Sequence, residues 1–377
     1  MENPFTFGKT AFGEQFTDRE QDTKRLLANF KHGINTILIS PRRWGKTSLV
    51  QKTALSGKGR RLKIITLDVF SCRTAHEFYT LFATEVVKQT AGKWQEWVEN
   101  AKKFLASLVL KISIGADPVR DFSITFDFSD KKLSADEVLT LPQRIATEKG
   151  FKLVICIDEF QQVAEFDEHL SFQKKLRSVW QLQPDVSYCL YGSKKHILAN
   201  LFSRQSMPFY KFGDVFFLQK IPASNWIPFI CERFQVTRKK ISTQIAEKIC
   251  NTVENHSSYV QQLAWIIWSK TAKTVTPDIF ESAVVELLNQ NAMLYLRYVE
   301  ELSAYQLNFL QAIADGVHSE FTKTAILQQY QLGTAANVKR LKEALENKEL
   351  IDINDKNVTF NDPVFRLWFK ANIKRRI

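Results

Sequence analysis

Short apolar runs recur along the first 220 residues and are separated by longer amphipathic stretches. Unbroken runs of this kind predict strands that are buried on both faces, as in a parallel sheet, and the amphipathic stretches predict helices. The alternation of the two predicts a doubly wound α/β domain. The predicted strands are 34–39, 62–70, 151–160, 186–192 and 214–218, and the predicted helices are 18–31, 47–53, 75–89, 94–108 and 134–149.

Two regions depart from this alternation. Residues 112–128 alternate apolar and polar side chains around a Gly-Ala-Asp-Pro turn at 115–118, which predicts an inserted β-hairpin. From about residue 221 the pattern becomes mainly helical. The final part predicts a winged helix-turn-helix, with helices at 303–314, 322–330 and 334–347 and short strands at 350–353 and 357–360.

A loop with one glycine follows the first predicted strand. Residues 40–48 read Ser-Pro-Arg-Arg-Trp-Gly-Lys-Thr-Ser, which matches the phosphate-binding pattern G-x-x-x-x-G-K-[ST] except at its first glycine. The pattern requires a preceding strand and a following helix, and both are predicted here. We expect this loop to bind the phosphates of a nucleotide through Ser40, Pro41, Arg42, Arg43, Trp44, Gly45, Lys46, Thr47 and Ser48.

Each residue type in the loop suits that chemistry. Gly45 lets the backbone approach a phosphate, and Lys46 carries a positive charge toward the β- and γ-phosphates. The Thr47 hydroxyl is a hard oxygen ligand of the kind that Mg²⁺ prefers. Ser40 stands at the position of the usual glycine, so we expect backbone strain there if that position needs a positive φ.

Asp158 and Glu159 end the predicted strand 151–160. Ligands of open α/β sheets bind at the carboxyl ends of the strands, and two acids there are costly unless they serve an ion or a water molecule. We therefore expect Asp158 to hold Mg²⁺ and Glu159 to act as the general base for an attacking water. Two surface acids at a strand exit are the alternative, which the phosphate-binding loop disfavours.

Ser193 follows the strand 186–192 and is positioned to bind the γ-phosphate or the water, although a chance serine remains a rival interpretation. Phosphoryl transfer also needs positive charge at the transition state. Arg204 and Lys211 are the candidates for that charge. The choice between them, and between their own subunit and a neighbouring one, stays open.

Composition narrows the class of protein. The chain has 377 residues, which predicts two or three domains, and no apolar run is long enough to span a membrane. Its five cysteines show no metal-ligand spacing, which favours a reducing cytoplasm and argues against a zinc site. The net charge of +12 permits contact with nucleic acid, but a merely basic surface explains it equally well. Residues 301–377 hold eleven basic and nine acidic residues, so the surplus is not concentrated on the winged helix.

Several segments together resemble the archaeal-type ATPase family, which belongs with the STAND-like ATPases near the AAA+ class. They are Phe-Thr-Asp-Arg-Glu at 16–20, the loop 40–48, Ile-Asp-Glu-Phe at 157–160, Asn-His-Ser-Ser-Tyr-Val-Gln-Gln-Leu at 255–263 and Asp-Pro-Val-Phe-Arg-Leu-Trp-Phe at 362–369. The matches extend over nearly the whole chain. The resemblance implies a P-loop NTPase core with a parallel sheet, a helical lid and a C-terminal winged helix domain.

The resemblance also implies roles for individual residues, whereas the domain boundaries rest on the changes of pattern along the chain. Lys46, Thr47, Asp158 and Glu159 would hold and hydrolyse Mg-ATP, and Ser193 would be the sensor. The segment 16–20, with Arg19, would lie near the adenine, and His256 would sense the nucleotide from the lid. The predicted domains are a lead-in segment at 1–33 that packs beside the nucleotide site, the ATPase core at 34–220, the lid at 221–295 and the winged helix at 296–377.

The chain departs from the family pattern at three positions. Asn255 and Ser257 replace a glycine and a proline, which puts sensing by the lid in doubt. Lys211 stands where the family often has an arginine, so it keeps the charge but loses the planar fork of donors. We therefore expect hydrolysis that is slow or depends on a partner.

These features support an ATP-driven molecular switch as the leading hypothesis. One rival is a DNA-associated ATPase that docks through its winged helix, which the charge count does not favour. The other is a nucleotide-binding scaffold with negligible turnover. The expected partners are the nucleotide with Mg²⁺ and either further copies of the chain or a protein client, without a membrane.

Overall fold

The computed structural model describes residues 3–11, 13–57, 59, 61–105, 110–115, 117, 121–126 and 131–373. The chain forms two compact units. A sheet unit comprises Arg19–Gln219, and a helical unit comprises Met1–Asp18 together with Lys220–Ile377. The predicted lead-in segment 1–33 is thus divided between the two units, and the four predicted domains stay a prediction. None of the described helices is long and apolar enough to cross a membrane.

The sheet unit contains a five-stranded parallel sheet, in the order β2-β5-β6-β1-β7. Two further strands, β3 and β4, pair antiparallel and form the predicted hairpin, whose turn residues at 116 and 118 lie outside the described residues. The strands of this unit are β1 (Thr36–Ile39), β2 (Leu62–Asp68), β3 (Leu110–Ser113), β4 (Ser123–Phe126), β5 (Lys152–Asp158), β6 (Val186–Gly192) and β7 (Asp214–Phe217).

Both faces of the sheet are buried, which explains the unbroken apolar runs in the sequence. Ile37 and Ile155 contribute to a core on one face, while Leu38 and Cys156 contribute to a second core on the other. The helices that cover the sheet are α1 (Glu20–His32), α2 (Lys46–Gly57), α3 (Ala75–Thr90), α4 (Trp94–Phe104), α5 (Lys131–Lys149), α6 (His169–Trp180) and α7 (Lys195–Ser203). A 3₁₀ turn, Phe160–Ala164, follows β5.

The helical unit ends in the predicted winged helix, which consists of α12 to α15 and the two-stranded wing β8–β9. Phe5 from the start of the chain is buried in the same core and lies against Phe229 and Phe234. The elements of this unit are α8 (Ala223–Val236), α9 (Thr243–Thr252), α10 (Ser257–Lys270), α11 (Pro277–Glu300), α12 (Ala304–Ala314), α13 (Thr324–Gln329), α14 (Ala335–Asn347), β8 (Ile351–Asn354), β9 (Asn357–Phe360) and α15 (Pro363–Asn372).

Candidate nucleotide-binding and hydrolysis site

The glycine-containing loop joins the carboxyl end of β1 to the first residue of α2, as the sequence predicted. Among the described residues of the loop, positive φ angles occur at Arg43 (62°) and Gly45 (90°) and not at Ser40. The strain that we considered at Ser40 is therefore not present, because the left-handed turn falls three and five residues later. Gly45 adopts this conformation at no steric cost, whereas Arg43 carries a modest strain.

Lys46 is buried and its ammonium group faces the loop that precedes it. Its Nζ donates hydrogen bonds to the Ser40 carbonyl at 3.0 Å, the Pro41 carbonyl at 2.8 Å and the Ser40 hydroxyl at 3.3 Å. In phosphate-binding loops the lysine ammonium contacts the β- and γ-phosphates, and here backbone carbonyls of the same loop accept its hydrogen bonds. The positive end of α2 lies at the same point, because the helix begins at Lys46.

Thr47 connects the loop to the acids at the end of β5. Its Oγ1 donates to Asp158 Oδ2 at 2.8 Å, and Asp158 Oδ1 accepts the backbone N–H of Glu159 at 2.8 Å. The pKa of Asp158 is raised from 3.8 to about 6. Burial is the largest cause and the charges of Glu159 and Asp68 add to it, while the hydrogen bonds from Thr47 and from the Glu159 backbone oppose it. A carboxylate destabilised in this way is stabilised by a bound cation.

The donor set at this point fits magnesium. A hydroxyl and a carboxylate are hard oxygen ligands, and Mg²⁺ is commonly bound through one or two such protein groups together with water and substrate phosphates. Among the described residues, no cluster of three or more His, Cys, Asp or Glu side chains could hold a metal by itself. Thr47 and Asp158 therefore supply a partial set of ligands, which suits a metal that arrives with a phosphate ligand.

Glu159 has a left-handed backbone, with φ 53°, and its carboxylate turns toward the end of β6. Its Oε2 accepts hydrogen bonds from Ser193 Oγ at 2.9 Å, from the Ser193 backbone N–H at 3.3 Å and from Gln161 Nε2. The structure thus brings Glu159 and Ser193 together. The sequence analysis expects Glu159 to act on the water and Ser193 to bind the γ-phosphate or the water, and it does not predict a contact between the two residues. A strained non-glycine residue beside converging donors is typical of functional sites.

Gln161 is the residue of this cluster that sequence analysis missed. Its side chain is buried and crosses over Gly192, the last residue of β6. A Cβ atom on Gly192 would lie 1.8 Å from Gln161 Oε1 and 3.2 Å from Glu159 Cα, so a larger residue there would displace the Gln161 side chain from its observed position. The only signal in the sequence was the position of Gln161 two residues after Glu159 in the string Asp-Glu-Phe-Gln.

Arg19 lies beside the phosphate-binding loop. Its guanidinium is buried and donates to the Trp44 carbonyl at 3.3 Å and to Asp22 Oδ2 at 3.0 Å. The end of the segment 16–20 is therefore attached to the loop, which is compatible with the predicted position near the base of a nucleotide. The loop residues Arg42 and Arg43 are exposed to solvent.

Arg204 and Lys211 are not part of this cluster. Lys211 is exposed and precedes Asp214, the first residue of β7, which pairs with Thr36 at the amino end of β1. Lys211 thus lies at the edge of the sheet opposite to the phosphate-binding loop. Arg204 is also exposed and caps the far end of α7. Their contribution of positive charge, in their own subunit or in a neighbouring one, stays a prediction.

His256 belongs to the helical unit. It is buried at the start of α10, and its ring lies 4.7 Å from the ring of Tyr259, measured between centroids. The predicted role of His256 in sensing nucleotide stays a prediction.

Comparisons with known proteins agree with the fold. Residues 293–371 match a family model described as "Probable winged helix domain". The Walker-type ATPase PABY2304 of Pyrococcus abyssi is similar to the chain with a TM-score of 0.68 at 17% identity, over 97% of this chain and 99% of that one. The ORC2 protein of Aeropyrum pernix, in ADPNP and ADP complexes, is similar with a TM-score of 0.57 at 15% identity, over 94% of each chain. No curated protein matches the chain.

At these identities the similarity shows the fold alone. The chain has a P-loop type of fold, with a five-stranded parallel sheet covered by helices, and a C-terminal winged helix domain. The predicted fold class and the resemblance on which it was partly based are therefore confirmed.

Proposed function

We propose that the protein binds and hydrolyses Mg-ATP, as an ATPase of the AAA+/STAND type, and acts as a nucleotide-driven molecular switch. The observation that carries this proposal is the hydrogen bond from Thr47 Oγ1 to Asp158 Oδ2 at 2.8 Å. It joins the phosphate-binding loop to the acids of β5 and creates one site from two distant segments. The nucleotide complexes of the similar ORC2 protein support the same choice of ligand.

Each residue of this site has a separate role in binding or hydrolysing ATP. Lys46 Nζ exchanges its carbonyl partners for the β- and γ-phosphate oxygens of ATP. Thr47 and Asp158 hold Mg²⁺, which supplies neutralisation of the phosphate charge. The Glu159 carboxylate takes a proton from water as the water oxygen bonds to the γ-phosphorus and the bond from that phosphorus to the bridging oxygen breaks. The products are ADP and inorganic phosphate.

The positions of the cationic side chains support slow turnover by the isolated chain. Arg204 and Lys211 are both exposed outside the site, and Lys211 is at the opposite edge of the sheet. Transition-state charge would be neutralised by such a residue when a second copy or a protein client is bound. Hydrolysis therefore accelerates when a second copy or a protein client binds, and the bound nucleotide, ATP or ADP, then depends on whether that partner is present.

The switch itself uses the parts that follow the core. The lid at 221–295 and the winged helix at 296–377 belong to a unit other than the one that holds Lys46 and Glu159. Two units that form separate cores can rearrange as bodies when one of them binds ATP or releases phosphate.

Calorimetry with Mg-ATP tests nucleotide binding. We expect the wild-type protein to bind, and Lys46→Ala to weaken the affinity by about 100-fold or more because a charged hydrogen-bonding partner of the phosphates is lost. Lys52→Ala is the matched control, because Lys52 lies on the same helix with its side chain turned toward Glu20. Folded wild-type protein that gives no heat with Mg-ATP contradicts the proposal.

Phosphate release tests hydrolysis. We expect Glu159→Gln to bind Mg-ATP normally and to release phosphate about 100- to 1,000-fold more slowly, because the amide cannot accept the proton of water. Equal rates for the two proteins would exclude Glu159 as the base. Nucleotide binding without turnover in the wild type, alone and at high protein concentration, would favour the scaffold.

The DNA-associated ATPase remains the second candidate, because the winged helix is present and the net charge is +12. The third helix of the winged helix, α14, is a poor match for a phosphate backbone. Lys342 extends over the ring of Phe321, and Lys339 lies 4.0 Å from Glu343. Binding to duplex DNA that weakens steeply as salt is raised would favour this candidate, and no binding at low salt would remove it.

A further inference from the structure

The hydrogen bonds to the Glu159 carboxylate are distributed unevenly. Among the residues that the structure describes, its three donor atoms all bind the same oxygen, Oε2: Ser193 Oγ, the Ser193 N–H and Gln161 Nε2. None of these three donors binds the other oxygen, Oε1. A carboxylate anchored through one oxygen has a defined orientation, which a general base requires.

Ser193 cannot be the lasting anchor. A serine hydroxyl has a single proton to donate, and in this structure that proton is directed to Glu159. The sequence analysis predicts that the same hydroxyl binds the γ-phosphate or the water. When Ser193 turns to the nucleotide, Glu159 loses its hydroxyl donor and keeps only the longer backbone contact at 3.3 Å and the Gln161 amide.

The surroundings of Gln161 are arranged to keep that amide in place. The residue is 3% exposed, and its Nε2 must be the atom that faces Glu159, because a carboxylate accepts hydrogen bonds and does not donate them. Its Oε1 is buried and has no hydrogen-bond partner among the described residues. Burying an unpaired amide oxygen costs free energy, so the observed position of Gln161 is not explained by the hydrogen bonding of its own side chain alone. Gly192 provides the space, since any Cβ there would overlap Gln161.

We propose that Gln161 is the positioning residue for Glu159. Its amide keeps its hydrogen bond to Oε2 throughout the reaction, while the Ser193 hydroxyl exchanges its hydrogen bond with Glu159 for one with the nucleotide or the water. This inference rests on the proposed ATPase function. It adds a residue that does not touch substrate and acts only by orienting the base.

The matched pair of variants is Gln161→Met and Gln162→Met. Both remove one side-chain amide of the same turn and preserve its length, but Gln162 binds Glu165 near the surface. We expect Gln161→Met to lower kcat by about 10- to 100-fold while KM for Mg-ATP stays within about twofold, and Gln162→Met to change neither. Wild-type kcat in folded Gln161→Met protein overturns the proposal, as does an equal loss in Gln162→Met.

A double-mutant cycle separates orientation from general damage to the fold. In a Glu159→Gln background, where no base remains to be oriented, Gln161→Met should cause little further loss of kcat. A loss that multiplies fully with that of Glu159→Gln would show that Gln161 acts independently of Glu159, and would overturn the proposal.

Thermal unfolding gives a readout that does not depend on turnover. Gln161→Met should lower Tm by about 2–4 °C more in the presence of Glu159 than in a Glu159→Ala background, the size expected for one charge-assisted hydrogen bond. The absence of this coupling overturns the inference even if the protein is an active ATPase. If the wild type binds Mg-ATP without hydrolysing it, the proposed activity fails, and the coupling still decides whether Gln161 holds Glu159.

Discussion

Two partly buried aspartates, one in each unit, have different surroundings. Burial is the largest cause of the raised pKa of both Asp158 and Asp362. Asp158 accepts one side-chain and one backbone hydrogen bond and lies near the charges of Glu159 and Asp68. Asp362 accepts four hydrogen bonds, from Tyr259 Oη at 2.5 Å, Tyr295 Oη at 3.2 Å and the N–H groups of residues 364 and 365 at 2.8 and 3.0 Å.

The difference separates a candidate ligand-binding aspartate, Asp158, from an aspartate that holds helices together, Asp362. We call the hydrogen bonds of Asp362 with Tyr259 and Tyr295 the structural fastening of the helical unit. The four donors around Asp362 oppose the effect of burial without cancelling it, and they tie α10 and α11 to the start of α15 inside the helical unit. Asp158 has fewer donors and two acidic neighbours, so its charge is incompletely compensated until a cation binds. The number of donors, more than the burial, therefore distinguishes the two aspartates.

Replacing each aspartate by asparagine gives the strongest contrast. We expect Asp158→Asn to lower turnover by about 100- to 1,000-fold, because a ligand of Mg²⁺ is lost, without destabilising the sheet unit. Asp362→Asn should unfold more readily yet bind Mg-ATP with nearly unchanged affinity. Phosphate release, calorimetry and denaturant unfolding of both variants measure this, and a destabilised Asp158→Asn with normal turnover would reverse the assignment.

The pH dependence of stability sharpens the contrast at the sheet unit. The folded pKa of Asp158, about 6, lies above its unfolded value of 3.8, so the folded state binds more protons between these values. Without Mg²⁺, the unfolding free energy should therefore fall as pH rises from about 4 to about 6, by about 3 kcal/mol in total. Unfolding with a chelator present should show this slope in the wild type and much less of it in Asp158→Asn. Identical slopes would contradict the prediction.

Tyr259→Phe tests the fastening in the helical unit. It removes the hydroxyl that donates to Asp362 at 2.5 Å and leaves the aspartate with one donor fewer. We expect a loss of about 1.5–3 kcal/mol in unfolding free energy, the range for a hydrogen bond to a charged group. Tyr305→Phe is the control, since Tyr305 is 51% exposed. Equal effects of the two changes would argue that Asp362 gains little from Tyr259.

A surface ion pair near the same fastening should matter least. Glu254 lies 2.9 Å from Arg366 and 3.7 Å from Lys220, and all three side chains are about one-third exposed. Glu254→Gln should therefore lower the unfolding free energy by less than about 1 kcal/mol, and the effect should shrink in high salt. A larger, salt-independent loss would place this pair among the essential contacts of the unit.

Local signals made much of the fold and the loop predictable. The runs that became β5 and β6 are apolar because both faces of the sheet are covered, and the winged helix follows from its own short elements. The position of Lys211 was not inferred, because it depends on the direction of β7. Since β7 runs parallel to β1, Lys211, which precedes β7, lies at the edge of the sheet opposite to the phosphate-binding loop. Nor could the partners of Asp362, which are brought to it by the packing of helices distant in sequence.

The turn that positions Glu159 shows the same limit. Its left-handed φ and the lateral path of Gln161 depend on the space above Gly192, a residue more than 30 positions away. A strand that ends in two acids indicates the chemistry of the site. The role proposed for Gln161, however, depends on its contact with Gly192 at the end of the neighbouring strand β6, which the sequence does not show. The sequence resemblance likewise named the segments 255–263 and 362–369 without indicating that Tyr259 and Asp362 touch.

The strand order has a consequence for how the site is assembled. Because β6 lies between β1 and β5, the strand that precedes the phosphate-binding loop and the strand that carries the acids are two strand spacings apart, about 10 Å. The hydrogen bond from Thr47 to Asp158 at 2.8 Å nevertheless joins them beyond the strand ends. The two halves of the site therefore meet only while β1, β6 and β5 keep this order.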